Sequence, residues 1–453
     1  MRLPSVFGCA LFVVGCTASG SEVQPHADEI FFPTGITVAP GEKVAFVTNA
    51  NSELRYDSGS IGVIDLMHAQ SVIAAWTQTK EIPADLCRVG NSDVRCCNPD
   101  LDHSETLVCE EQMFLNTSAG VRIGNFATDI SMQDLGGGRL RLLVPTRGDP
   151  SIAWADWDGS SLSCSTSGGA FGLCDDSHRL SYLKNDADLA SIPDEPFNVF
   201  ADSAGEFAMV THLTTGAVTL IDSPKNSDRV EVSDVLSGIF AADPSNGIRG
   251  ATGIVGRLPN AANDIIYVGS RSEDRIQTFT IGRPVNGASP FLLPGNWFFL
   301  DAVGGNNGGS SDTRGMAASV DGSRMYLVNR KPPSLQVWDT SVGPTGFPRN
   351  KALGSTDICR QGSTVTLSGS GDGERAYVTC FQDGQVYVVD PRGDVETEDI
   401  ILVGRGPYAS AAAKAANLLL VTNFLEDTIG VIDIAPNSKT HNRVVLRIGT
   451  VRQ

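Results

Sequence analysis

Across 453 residues, 52 aspartates and glutamates against 34 lysines and arginines leave a formal charge of −18 at pH 7. A surface that acidic repels nucleic acid and anionic lipid head groups, which removes both from the expected partners. Beyond the first fifteen residues no apolar run is long enough to span a bilayer.

Residues 1–15 carry one positive charge, Arg2, and then a short apolar run through Leu11, Phe12, Val13 and Val14 that stops at Gly15 and Cys16. This is the pattern of a secretion signal and not of a spanning helix. The run Val13-Val14-Gly15-Cys16 resembles a bacterial lipobox. That resemblance implies a diacylglycerol on the Cys16 sulfur, a multiply acylated mature N-terminus (palmitate being the usual chain) and a lipid-anchored, exported protein. Thr17, where an aspartate would signal retention, implies the outer membrane in bacteria with two membranes. Acyl chains hold because each buried methylene adds roughly 0.8 kcal/mol. Residues 16–29 are small and polar and predict a flexible tether, leaving 30–453 for the folded part.

The folded part repeats itself. Residues 33–49 (PTGITVAPGEKVAFVTN) read as strand, turn and strand; residues 60–66 (SIGVIDL) form a third strand, and 70–76 (QSVIAAW) predict a fourth. The same phrase returns at 127–146, 197–212, 251–270, 314–329, 363–380 and 408–423, each followed by a third-strand phrase such as GQVYVVD or TIGVID. Gly35 to Asn49 spans the same interval as Asn198 to His212, Gly315 to Asn329 and Ala409 to Asn423. Alternation, β-branched content and regular Gly, Asp and Asn punctuation argue for strands. The alanines of 409–417 favour a helix by propensity, but their place in the repeat predicts strand and turn, because packing between units outweighs a few tenths of a kcal/mol per residue.

A four-stranded unit buries little alone, so seven of them predict radial stacking. These phrases resemble the YVTN family of propeller repeats over most of 31–450. The resemblance implies an all-β, seven-bladed β-propeller of four-stranded antiparallel blades, with the first strand of each blade at the axis and the 4–1 and 2–3 loops on one binding face.

Ten cysteines minus Cys9 and Cys16 leave eight, and an even number in an exported chain predicts disulfides. Cys164 and Cys174 share one Gly- and Ser-rich loop and should close it. Cys359 precedes the first strand of the sixth unit and Cys380 ends its second, so the antiparallel pair brings them together. Cys87 and Cys109 should each take one of the vicinal Cys96 and Cys97. Their spacing lacks the paired CxxC knuckles of a zinc site, and no metal is expected there.

The binding face should present Asn49, Thr146, His212, Ser270, Asn329, Cys380 and Asn423, with Arg147, Arg271, Arg330 and Lys331 just beyond. Arg249, Arg360 and Arg405 occupy one repeat column before the first strands, and Arg122 and Arg314 lie nearby but out of register. Two readings stand: a guanidinium ring for an anionic ligand, in which Arg249, Arg314, Arg360, Arg405 and His212 are the ligand candidates, or arginines that each pair with a loop acid or a carbonyl. The six histidines are scattered, there is no nucleophile elbow, and the run from Asp156 to Gly159 predicts a hairpin turn, so no catalytic residue, metal or cofactor is expected. The segment 77–125, with four cysteines and Trp76 at its start, is expected on the binding face as a specificity element. The functional expectation is an envelope-anchored platform for a protein or a small anion; the alternative is a lactonase-like or quinoprotein-like enzyme.

Overall fold

The computed structural model describes residues 23–82, 97–165, 169–183, 191–203, 205–258, 264–285, 289–300 and 311–451. Seven antiparallel sheets follow one another along the chain. Their first strands, Pro33–Val38, Ser131–Gly136, Pro196–Ala201, Ala251–Gly256, Thr313–Ala318, Gly362–Ser368 and Pro407–Ala413, face one another around an axis. The molecule is a seven-bladed β-propeller. Residues 409–417 form strand and turn, as their place in the repeat predicts.

The chemistry of the VTN phrase is visible in the register. In blade 1 the pairing Pro33↔Asn49 shifts by one residue before Ile36↔Val47, and the same bulge recurs in blades 3 to 7. A bulge frees a backbone N–H inside the sheet, where an unpaired donor is costly. The threonine of the phrase takes it: Thr48 Oγ1 accepts from Gly35 N at 2.8 Å, and Thr211, Thr379 and Thr422 accept from Asn198, Thr364 and Ala409 at 3.2, 3.0 and 2.9 Å.

A second set of bonds joins the blades. Thr34 Oγ1 donates to the Ala127 carbonyl (3.0 Å), Thr128 to Phe197 (2.5 Å), Thr211 to Thr252 (2.8 Å), Thr252 to Thr313, Thr379 to Tyr408 (3.0 Å) and Thr422 back to Thr34 (2.8 Å). Between blades 5 and 6, where Val328 replaces the threonine, Arg330 Nε donates to Gly362 O at 2.7 Å instead. Gly35 belongs to this closeness: a Cβ there would meet the Asp129 backbone carbon at 2.7 Å. Between blades the contacts are apolar, as where Phe46, Ile61 and Val63 pack on Leu142, Val144 and Ala153. Each fully buried Val, Leu, Ile or Phe side chain there contributes roughly 1.5–3 kcal/mol.

Blade 1 departs from the expected fourth strand. Residues 70–76 lie in helix α1, Leu66–Thr79, and the outer strand of the blade is Val121–Ile123. Asp65 caps the helix by accepting from His68 N at 2.9 Å, Lys80 ends it in the left-handed conformation, and Leu66, Ala69, Ile73 and Trp76 form its buried stripe. The VIAAW run suits either period, and the stripe at intervals of three and four decides for the helix.

The long segment is therefore an insertion between the third and fourth strands of blade 1, and it leaves from the end of the blade opposite the expected face, where Asp65 pairs with Val44. Part of its described length runs along the outer edge of blade 7, while Asn125, at its end, reaches the expected face, its Oδ1 accepting from Asn51 Nδ2 at 2.7 Å. Strand Leu107–Cys109 adds in parallel to the outermost strand of blade 7, Arg443–Ile448, and Cys97–Pro99 adds outside it. Thr106 Oγ1 donates to Val444 O at 2.6 Å and Trp76 Nε1 to Glu105 O at 2.7 Å. Blade 1 thus clasps blade 7 across the seam where the ring closes.

Disulfides join Cys164 to Cys174 and Cys359 to Cys380, as expected, and Cys97 to Cys109. Cys9, Cys16, Cys87 and Cys96 lie outside the described residues. In blade 2 the Cys164–Cys174 loop splits the outer strand into two short pieces, Leu162–Ser163 and Arg179–Leu180. The Asp156–Gly159 run turns a hairpin there, with Asp158 accepting from Ser160 N and Ser161 N at 2.8 Å.

Candidate functional site at the axis

The ends of the second strands do not offer their side chains to a ligand. Asn49, Thr146, His212, Ser270, Asn329, Cys380 and Asn423 are all buried. In five blades this residue ties the strand to the segment entering the blade. Asn49 Oδ1 accepts from Phe31 N (3.2 Å), Asn329 Oδ1 from Asp312 N (3.0 Å), Asn423 Nδ2 donates to Val403 O (3.1 Å), and His212 Nδ1 meets Asp194 O (3.1 Å). Cys380 does the same covalently through Cys359. The His212 Nε2 lies 2.8 Å from Thr219 Oγ1, and burial pushes the imidazole down to about 4, so it is neutral at pH 7.

The arginine column sits on the rim. Arg360 pairs with Asp383 at 3.1 Å, Arg405 approaches Glu426 at 3.8 Å, and Arg249 donates to the Phe240 carbonyl at 3.0 Å. Arg122 pairs with Asp57 at 3.2 Å. Arg314 behaves differently. It is buried at the axis, its Nε 2.8 Å from Asp312 and its guanidinium carbon 5.6 Å from the Phe197 ring centre.

Arg314 lines a cavity of about 270 Å³ at the axis, shared with Asp129 and Arg147 of blade 2, Phe197 and Asn198 of blade 3, Arg330 of blade 5, Ser363 and Phe381 of blade 6, and Tyr408 of blade 7. The positive charge there is unevenly compensated. Arg147 is bonded to Glu195 and Arg314 to Asp312, while Arg330 spends its hydrogen bonds on neutral oxygens, Gly362 O and Ser363 Oγ (3.1 Å). Among the described residues no carboxylate lies within ion-pair distance of Arg330. Burial first, and then the field of Arg314, pushes its guanidinium down to about 10. Arg271, also near Arg314, is lowered for the same two reasons. Such crowding leaves the pocket short of negative charge.

Asp129 faces the same space. Ile130 N donates to its Oδ1 at 2.8 Å and Val199 N to its Oδ2 at 3.0 Å, yet burial outweighs both and raises the carboxyl to about 7. Burial also raises Tyr408, with Asp129 adding to the shift. Asp129 and Tyr408 escape a motif search. Their signal is positional: Asp129 stands in the column of Gly35, Asn198, Gly253, Gly315, Thr364 and Ala409, where no other blade carries a charge. Among the described residues no group of three His, Cys, Asp or Glu side chains could hold a metal ion.

No family model and no curated protein matches the sequence. Solved structures do match the fold. A candidate 6-phosphogluconolactonase from Bacteroides fragilis NCTC 9343 aligns with a TM-score of 0.55 at 12% identity, over 90% of this chain and 98% of that one. Hydrazine synthase of Kuenenia stuttgartiensis aligns with a TM-score of 0.53 at 11% identity, over 92% and 98%. A protein from Lactobacillus plantarum gives 0.51 at 13%, over 74% and 89%. At these identities the likeness establishes the propeller alone.

Proposed function

We propose that this is an exported propeller, lipid-anchored at Cys16, that binds a small organic anion in its axial cavity. The observation that carries the reading is Arg330, held beside Arg314 in the axial cavity with no carboxylate of the described residues within ion-pair distance of it. A carboxylate or phosphate oxygen would supply the missing charge, and guanidinium forks suit both. The apolar walls, Phe197 and Phe381, fit the body of an organic ligand. The anchor rests on the lipobox, and the three disulfides fit an oxidising compartment. The experiment is a thermal-shift and calorimetric screen of the mature protein with sulfate, phosphate and sugar acids. Saturable binding that is lost in Arg314→Gln and Arg330→Gln but kept in the rim variant Arg360→Gln supports the reading; indifference to all three substitutions refutes it.

Asp129 favours a second reading, hydrolysis of a lactone. A carboxyl near neutrality beside guanidinium groups has the character of a general base with charge stabilisers to hand. Likeness to a candidate 6-phosphogluconolactonase accords with it. Ring opening of an aldonolactone faster than the spontaneous rate, and lost in Asp129→Asn, would favour this reading over simple binding.

A further inference from the structure

We infer that the axial cavity takes up its anion together with one proton, which comes from solvent and resides on the Asp129 carboxyl. The inference rests on the anion-binding reading above and adds its regulation. Asp129 lines the cavity together with Arg147, Arg314 and Arg330. Because Glu195 and Asp312 already compensate two of these arginines, the surplus charge among the described residues lining the cavity is that of Arg330. An ionised Asp129 would compete for it and repel the ligand. A neutral Asp129 removes the repulsion and presents an O–H to the incoming oxygen.

The carboxyl can serve in both states without moving. The backbone N–H groups of Ile130 and Val199 grip one oxygen each, and the adjoining strand of blade 1 lies so close at Gly35 that no side chain fits between. Lining the cavity with Asp129 are Arg147 of its own blade, Arg314 and Arg330 of blade 5 and Tyr408 of blade 7; the neighbours on blade 3, Phe197 and Asn198, carry no charge. Tyr408 is raised and Arg330 stays above pH 9, at about 10, while His212 is held down to about 4. Asp129, raised to about 7, is the group in this set that changes state near neutrality.

The sign follows from linkage. A bound anion raises the Asp129 carboxyl further, so binding takes up a proton wherever the free site is ionised, and affinity falls as pH rises past about 7. The test uses sulfate, which does not itself titrate there, and the mature protein. Calorimetry in two buffers of different ionisation enthalpy should give a sulfate Kd that rises by up to about tenfold per pH unit above about pH 7, with uptake approaching one proton at about pH 8.5 and none at about pH 6. Asp129→Asn should flatten the profile and keep the low-pH affinity at about pH 8.5. Sulfate that binds equally at both pH values without proton uptake overturns the coupling and leaves the anion site standing. A pH profile that persists in Asp129→Asn overturns it too. Sulfate that binds at neither pH overturns both readings, and the wild-type calorimetry alone is decisive if the variant does not fold.

Discussion

Thr422 Oγ1 donates to the carbonyl of Thr34 at 2.8 Å, joining residues 388 positions apart and closing the ring of inter-blade bonds. The same oxygen accepts from Ala409 N at 2.9 Å, so one hydroxyl serves the bulge of its own blade and the seam to the next. Both partners are inside the protein, where losing a hydrogen bond exposes the full desolvation cost of what remains.

Thr422→Val keeps the shape and removes the hydroxyl. It should lower the unfolding free energy by about 1–3 kcal/mol. Urea denaturation of the mature protein reads this directly. A change within error would mean that the hydroxyl ring does not hold the blades together.

His212 makes stability pH-dependent on the acid side. Folded, it takes a proton only below about pH 4, whereas in the unfolded chain it does so below its ordinary 6.5. Between these values the unfolded state binds more protons, so the stability it contributes is complete above about 6.5 and is lost as pH falls toward 4. The loss is on the order of 3 kcal/mol. His212→Asn, which installs the residue that blades 1, 5 and 7 carry at this position, should fold and lose that part of the slope; an unchanged acid limb counts against the assignment.

The clasp predicts a redox-sensitive seam. Cys97–Cys109 staples the two added strands, and the Cys109 carbonyl accepts from Gly449 N at 2.8 Å beside the last strand. Replacing both cysteines by serine should cost up to about 3 kcal/mol and expose the outer edge of blade 7 to hydrogen exchange. Peptide mapping without reduction should also return Cys164–Cys174 and Cys359–Cys380. Exchange along Arg443–Ile448 that is indifferent to the substitution would show that the clasp is not holding that edge.

Cys16→Ser should release the protein from membranes into the soluble envelope fraction or stall its processing. Normal cleavage with unchanged membrane retention would rule the anchor out.

Much of the architecture could be read from the chain alone because a propeller is local: each blade pairs strands that are neighbours in sequence, so the period, the turns and the Cys359–Cys380 pairing all show within a span of a few dozen residues. The same locality explains the strand at 407–413 despite its alanines, since the neighbouring units supply the burial that overrules propensity. Tertiary structure decided what locality could not. The strand at 107–109 finds its partner at 446–448, and helix α1 exists because Leu66, Ala69 and Trp76 pack into the core shared with Leu418 and Leu446 at the far end of the chain. The axial site belongs to the same class. Asp129, Arg314, Arg330 and Tyr408 come from three blades and carry no common motif, and closing the ring alone brings them into one poorly solvated space, where burial and mutual charge give them their chemistry.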